Sequence, residues 1–232
     1  MTKNIFSLFV LLAFTGVVCA QSQVPARTHP DTSEDGWKDL FAPDLSNALD
    51  PAGVWTVEDD STFTASEDAA LWSEQSYNDY ILDLEVKLAP HANSGVVVHA
   101  SDMEDWIPNS LEIQIGDDYD PDRTEPPTNT QAGSAFGHVA PTKQMIKPAG
   151  EWNHFTITAL GDEVWVVVNG EFVTEIDMSD YTSAEVNPDN TEIPEWLSNP
   201  LATLPTEGHI GFQGQHGGAP IWFRNIKIKE LD

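Results

Sequence analysis

A chain of 232 residues with 38 Asp and Glu against 10 Lys and Arg carries a formal net charge of −28. That balance excludes a nucleic-acid partner, because phosphate is repelled and no basic stripe exists. Anionic polysaccharides and membrane surfaces are disfavoured for the same reason. A hydrated acidic surface suited to salty surroundings accounts for most of the carboxylates, and a few are left to hold a divalent cation.

Residues 1–20 read as a signal peptide. Lys3 starts it, Ile5 to Val18 form an apolar run, and Val18-Cys19-Ala20 fits a small-x-small cleavage site before Gln21. The run is shorter than the ~20 residues of a membrane span, and no later segment approaches that length. Lipid anchoring at Cys19 ranks second to cleavage, because Val18 is larger than lipoprotein sites prefer. Either way the sequence predicts export to the periplasm or beyond. Cys19 is the only cysteine, so the mature domain must stand on its hydrophobic core without disulfides.

Residues 21–35 lack periodicity and read as a flexible lead-in. From Gly36 to residue 232 the chain is one domain of short strands separated by turns. Strands are predicted at Val54–Val57, Thr62–Ala65 and Ala69–Ser73. The clearest is Asp79–Leu88, where Tyr80, Leu82, Leu84, Val86 and Leu88 alternate with polar residues. Ser94–Ala100 and 110–115 follow, then Trp152–Leu160, Glu163–Asn169 and Glu171–Asp177. Asn169-Gly170 is a strong hairpin signal. His209–Gln213 and Pro220–Glu230 close the chain. No helical stripe persists over three turns, so the expected fold is an all-β antiparallel sandwich. Two long polar insertions, Asp117–Ser134 and Ser179–Thr206, break the rhythm as loops lining a binding site often do.

Asn109 to Tyr119 concentrates the polar chemistry. Leu111, Ile113 and Ile115 alternate with Glu112 and Gln114, which sets an acid and an amide about 7 Å apart on one face of a strand. Gly116 interrupts the pattern before Asp117 and Asp118. Such a face can floor a polar groove.

Several phrases in order resemble a known pattern. They include G-W-K-D-L-F at Gly36–Phe41, W-T-V-E-D at Trp55–Asp59, L-W-S-E-Q-S-Y-N-D-Y at Leu71–Tyr80 and A-N-S-G-V-V-V at Ala92–Val98. E-I-Q-I-G-D-D-Y at Glu112–Tyr119, K-P-A-G-E-W-N at Lys147–Asn153, G-H-I-G-F-Q at Gly208–Gln213 and I-W-F-R-N-I-K-I at Ile221–Ile228 complete the set. Over about residues 36–231 the chain is similar to the 3-keto-disaccharide hydrolase domain family. The resemblance implies a concanavalin A-like lectin/glucanase jelly roll and an exported bacterial protein acting on oxidised glucosides. A small saccharide or glycoside is then the expected partner; the sequence carries no signal for oligomeric state. More distantly, laminarinases and lichenases of that fold carry paired acids around a central Asp. Gln114 stands at that central position and cannot ionise, so retaining hydrolysis with two carboxylates loses its helper.

A 3-keto sugar offers another route. The carbonyl acidifies the proton on C2; a base removes it, the group on C1 departs, and water adds to the enone. Glu112 is the expected base, or a ligand to a metal polarising the ketone. Asp117 is a candidate acid, with turn-making as its alternative, and His138 in G-H-V-A-P is a candidate proton shuttle. Gln114, His99, His216, Lys143 and Arg224 are candidate contacts to substrate, although pairing with carboxylates is the favoured role of Arg224. Trp106 and Trp196, in loops, suit pyranose faces, and Trp222 is weighed against core packing. No cofactor is certain; a cation such as calcium is a candidate at Asp117, Asp118, Asp120 and Asp122. The rival class is a non-catalytic carbohydrate-binding module using the same groove, because the fold hosts both.

Overall fold

The computed structural model describes residues 24–58, 61–121 and 128–231. The expected leader, with Cys19, and the candidate cation ligand Asp122 lie outside the described residues. Among the described residues thirteen strands form two antiparallel sheets, as the jelly-roll expectation requires. The larger sheet runs β11 (Glu171–Asp177), β10 (Glu163–Val168), β9 (Trp152–Leu160), β6 (Tyr80–Leu88), β13 (Ile221–Glu230), β4 (Phe63–Ala65) and β3 (Trp55–Val57), with β1 (Lys38–Asp39) also pairing β13. The smaller sheet runs β2 (Ala48–Leu49), β5 (Leu71–Tyr77), β12 (Gly208–Phe212), β7 (Asn93–Ala100) and β8 (Leu111–Gly116). Among the described residues no helix is long and apolar enough to cross a membrane.

The alternating residues do what their period dictates. Tyr80, Leu82, Leu84, Val86 and Leu88 of β6 face Leu111, Ile113 and Ile115 of β8 in one core between the sheets, joined by Phe155, Phe212 and Phe223. Asn169 and Gly170 both adopt positive φ, 49° and 91°, which the tight β10–β11 hairpin needs to match strand twist.

β5 departs from expectation. It extends to Tyr77 rather than ending at Ser73, because Glu74, Gln75 and Ser76 are all exposed and conceal the strand from a period-two reading. β1 and β2 were too short to leave a sequence signal.

A bulge in β7 decides the fate of one candidate. His209 pairs with Ala100 but Gly211 pairs with Val97, so β7 carries an extra residue, and His99 takes φ 57°. Val97 and Ala100 therefore share an outer cluster with Trp72. His99 is buried at 0% exposure, with its ring 6.4 Å from that of Tyr80.

Candidate functional site

The outer face of β8 forms one wall of a cavity of about 280 Å³. Glu112 and Gln114 project there because their neighbours Leu111, Ile113 and Ile115 are committed to the core. The chain then returns alongside β8. Gln114 donates its backbone N–H to Ser134 O at 3.0 Å, Gly133 N–H reaches Gln114 O at 2.8 Å, and Phe136 N–H reaches Glu112 O at 2.9 Å. This added edge carries Phe136 and His138 to the cavity. Gly137 makes the approach possible. It has φ 75°, and a β-carbon there would stand 2.6 Å from Leu197 Cδ1 and 3.1 Å from Pro194 Cδ. The second long insertion thus packs down on the segment that follows the first and delivers Trp196 and Leu197 to the rim. Trp196 stays 59% exposed.

Glu112 lies across the neighbouring strand. A β-carbon on Gly95 of β7 would stand 2.6 Å from Glu112 Cγ and 2.7 Å from its Cδ, so only glycine leaves room for that side chain. Part of Glu112 remains open to the cavity. Among the described residues its carboxylate has no hydrogen-bond or ion-pair partner. Desolvation raises its pKa to about 8, and the Asp68 carboxylate acts in the same direction.

Two imidazoles share the cavity with it. His138 Nδ1 lies 3.0 Å from Asn187 Oδ1, while Asn187 Nδ2 donates to Gly137 O and to Thr191 Oγ1, each at 3.0 Å. That chain assigns the proton to Nδ1 and leaves Nε2 as an acceptor. Burial lowers the His138 pKa, against a smaller upward effect from Asn187. His216 Nδ1 lies 2.7 Å from Asp68 Oδ2. Gln114 Nε2 donates to Asn93 Oδ1 at 2.7 Å, and Asn93 and Gln213 add further amides to the lining. Trp106 closes one side, packed edge-on against Trp72 at 6.1 Å.

Of the residues the sequence singled out, Glu112, Gln114, His138, His216, Trp106 and Trp196 meet at this cavity. Others do not. Asp117, just past the end of β8, does not line the cavity. Its carboxylate is spent on a turn, accepting His91 N–H at 3.0 Å and Tyr119 N–H at 3.1 Å. His99, expected to meet substrate, is instead in the core, where burial lowers its pKa to about 4. Lys143 is paired with Glu171 at 2.6 Å on the surface. Arg224 belongs to the opposite sheet, bound to Glu85 at 2.9 Å and stacked over Trp152 at 3.9 Å. Trp222 lies on that same outer face under Lys87.

The described members of the candidate cation loop have other partners. Asp118 accepts Ala132 N–H at 3.1 Å, and Asp120 pairs with His91 at 2.8 Å. Among the described residues the one grouping with metal-like composition is His29, Asp83 and His154, whose ligand atoms lie within 4.8 Å of one another. Its geometry suits a hydrogen-bonded latch better. The two rings stack at 3.6 Å and 9°, and parallel planes so close cannot both aim lone pairs at one ion. His29 Nε2 accepts Gly170 N–H at 2.8 Å and its Nδ1 meets Thr156 Oγ1 at 2.7 Å.

Sequence reasoning missed Asp68, Asn93, Gln213, Ser110 and Phe136. Asn93 and Gln213 stood inside the matched phrases A-N-S-G and G-H-I-G-F-Q, so a signal existed. Asp68 had none, being one acid among 38.

Comparison with known proteins places these features. Residues 30–229 match the family model described as a 3-keto-alpha-glucoside-1,2-lyase-like domain. A curated 3-keto-disaccharide hydrolase from Bacteroides thetaiotaomicron is 27% identical over 206 residues, covering 77% of this chain and 70% of the relative. A candidate glycosyl hydrolase of known structure from Parabacteroides distasonis is 44% identical. It superposes with a TM-score of 0.81 over 84% of this chain and 99% of its own. A second such structure from that organism, 21% identical, shares the fold with a TM-score of 0.70 over 85% and 94% of the two chains.

Proposed function

The chain belongs to the family of 3-keto-alpha-glucoside-1,2-lyase-like domains, and from that premise we propose that it cleaves 3-keto-glucosides or 3-keto-disaccharides by elimination followed by hydration. One observation carries the reading. Among the described residues Glu112 is the sole carboxylate lining the cavity, it has no hydrogen-bond or ion-pair partner, and two imidazoles share the cavity with it. Ordinary glycoside hydrolysis needs two carboxyl groups about 5–9.5 Å apart flanking the bond; neither Asp117 nor Asp68 lines the cavity, and Asp68 is engaged by His216.

In this reading the carboxylate form of Glu112 removes the C2 proton, which the C3 ketone has acidified. The pKa near 8 makes it a base matched to neutral or mildly alkaline conditions. The C1–O bond breaks as the electron pair moves into the enone, and an imidazolium supplies the proton that the departing oxygen takes. Water then adds at C1, giving its proton to the imidazole, while Glu112 returns its own to C2. Both groups end as they began. Gln114, Asn93 and Gln213 offer donors and acceptors for sugar hydroxyls, and Trp106 and Trp196 offer faces for pyranose C–H surfaces. The predicted leader would put this work outside the cytoplasm.

Mass-spectrometric turnover of 3-keto-glucosides by wild type and Glu112→Gln, with and without EDTA, tests the proposal. Release of 3-keto-glucose by wild type and its loss in the variant are the expected result; EDTA sensitivity would add a cation. No turnover on any 3-keto substrate, with glycan binding retained, would overturn it in favour of a carbohydrate-binding module.

A further inference from the structure

We propose that Asp68 is a positioning residue, holding His216 so that its Nε2 faces the cavity opposite Glu112 and exchanges the proton with the leaving-group oxygen. This deepens the reading above and rests on it for the chemistry, though not for the geometry.

His216 sits in the turn between β12 and β13, followed by Gly217 and Gly218 at φ 81° and 84°. A turn so rich in glycine would leave a side chain free to wander. It is nevertheless pinned on both sides. Its backbone bridges to Asn93 of β7, and its Nδ1 is held by Asp68 Oδ2 at 2.7 Å. Asp68 lies in the loop joining β4 of the large sheet to β5 of the small one, far away in sequence.

That loop and the His216 turn are fastened together before either side chain is considered. Gln215 N–H donates to Glu67 O at 3.1 Å, and Gln215 Nε2 donates to Ala65 O. Gly214 is the contact point. A β-carbon there would lie 2.8 Å from Ala69 O and 2.9 Å from Ala69 N, so the two backbones approach as closely as glycine permits. Asp68 is thus carried on a fixed stage.

The consequence for His216 follows from donor chemistry. A carboxylate accepts only, so the Nδ1 it meets must be the protonated nitrogen. Nε2 is then the nitrogen left to take or give a proton, and the ring cannot flip without losing its partner. When Nε2 takes a proton, the positive charge forms beside a negative one. Around the cavity the other titratable groups are Glu112 and His138. Asp68 also acts on Glu112, whose pKa its charge helps to raise. One exposed acid therefore bears on both halves of the proton traffic.

The test pairs Asp68→Asn with Asp68→Glu in the full-length protein and reads three quantities. The first is exchange of the C2 proton of 3-keto-glucosides with deuterated water, which needs Glu112 alone. The second is release of 3-keto-glucose from substrates with poor and good leaving groups, across pH. The third is the ¹⁵N shifts of the His216 ring, which report its tautomer without any substrate. The expected outcome for Asp68→Asn is retained C2 exchange with cleavage of poor leaving groups slowed at least about tenfold. Nitrophenolate release should be spared, with Asp68→Glu recovering part of the loss. In the same variant the His216 ring should lose its single Nδ1–H form. Equal loss of exchange and cleavage, or cleavage of poor leaving groups at the wild-type rate, would overturn the proposal. If wild type neither exchanges nor cleaves, the enzymatic reading fails separately. An unchanged His216 tautomer in Asp68→Asn would then also overturn the positioning role.

Discussion

Gly95 and Glu112 occupy one another's space: the glutamate side chain rests where any β-carbon of residue 95 would be, with Cγ 2.6 Å and Cδ 2.7 Å from that point. The relation joins two neighbouring strands, because Gly95 pairs with Gln114 and Val97 with Glu112. A missing side chain on β7 therefore sets where the carboxyl on β8 can lie.

Gly95→Ala should displace Glu112 and lower turnover of 3-keto-glucosides at least tenfold. The stability cost should be about 1–3 kcal/mol, as for other overpacked sites. Placing the same substitution in a Glu112→Ala background removes the obstacle and should restore most of the stability. A double-mutant cycle by urea unfolding measures the coupling. Additive losses would mean that Gly95 matters for its backbone alone.

The Glu112 pKa near 8, against 4.5 for an ordinary glutamate, makes two pH predictions with definite signs. Between those values the folded chain holds a proton that the unfolded chain has released. This contribution to stability is fully present below about 4.5 and is lost as pH rises toward 8. Glu112→Gln, which cannot ionise, should gain stability relative to wild type across that interval. Activity runs the other way. If Glu112 is the base, exchange of the C2 proton, which needs Glu112 alone, rises with pH through about 8, whereas an acid role would give a falling limb there. The pH–rate profile decides between them.

Much of this arrangement could be read from the chain, and the failures have physical causes. Alternation in Tyr80–Leu88 and Leu111–Ile115 reflects the pleat directly, so both strands and the outward face of Glu112 were legible. His99 was misplaced because a one-residue bulge reverses which face a side chain takes. The positive φ behind it leaves no trace in a hydrophobic pattern. Asp117 looked like a second acid because its run after Gly116 is compatible with strand or turn; the His91 and Tyr119 amides settle it as a turn. His138 and His216 reach the cavity that holds Glu112 through loops returning from 26 and 104 residues away, and Asp68 reaches His216 from the other direction. Contacts of that range are products of topology, not of local spacing.

Trp196 and Trp106 should separate affinity from stability. Trp196 is 59% exposed on the rim, so Trp196→Ala should leave unfolding within about 0.5 kcal/mol of wild type. It should weaken saccharide binding measured by calorimetry roughly tenfold, since a stacking face is lost. Trp106 packs against Trp72 and the Val97–Ala100 cluster. Trp106→Ala should cost stability as well as affinity, about 2–4 kcal/mol by the usual penalty for emptying an aromatic site. Equal stability losses in the two variants would contradict the division.

The lead-in at 24–35 is the last element with a testable chemistry, and its side chains make specific contacts with the large sheet. Arg27 lies over Phe172 at 4.7 Å and pairs with Glu175. His29 stacks on His154, which is bound to Asp83 at 2.9 Å. Burial, then the neighbouring His154, lowers the His29 pKa from 6.5 to about 4, with Asp83 opposing. A detached segment would therefore take up a proton that the docked one refuses. Docking should be fully favoured above about pH 6.5 and should weaken as pH falls toward 4. Hydrogen exchange of residues 24–35 between pH 7 and 4.5 measures this directly, after correction for the intrinsic rate. Protection should fall with pH in wild type and be low and pH-independent in His29→Ala. Undiminished protection in wild type at pH 4.5 would show that Arg27 and its aromatic contacts hold the segment without the histidine latch.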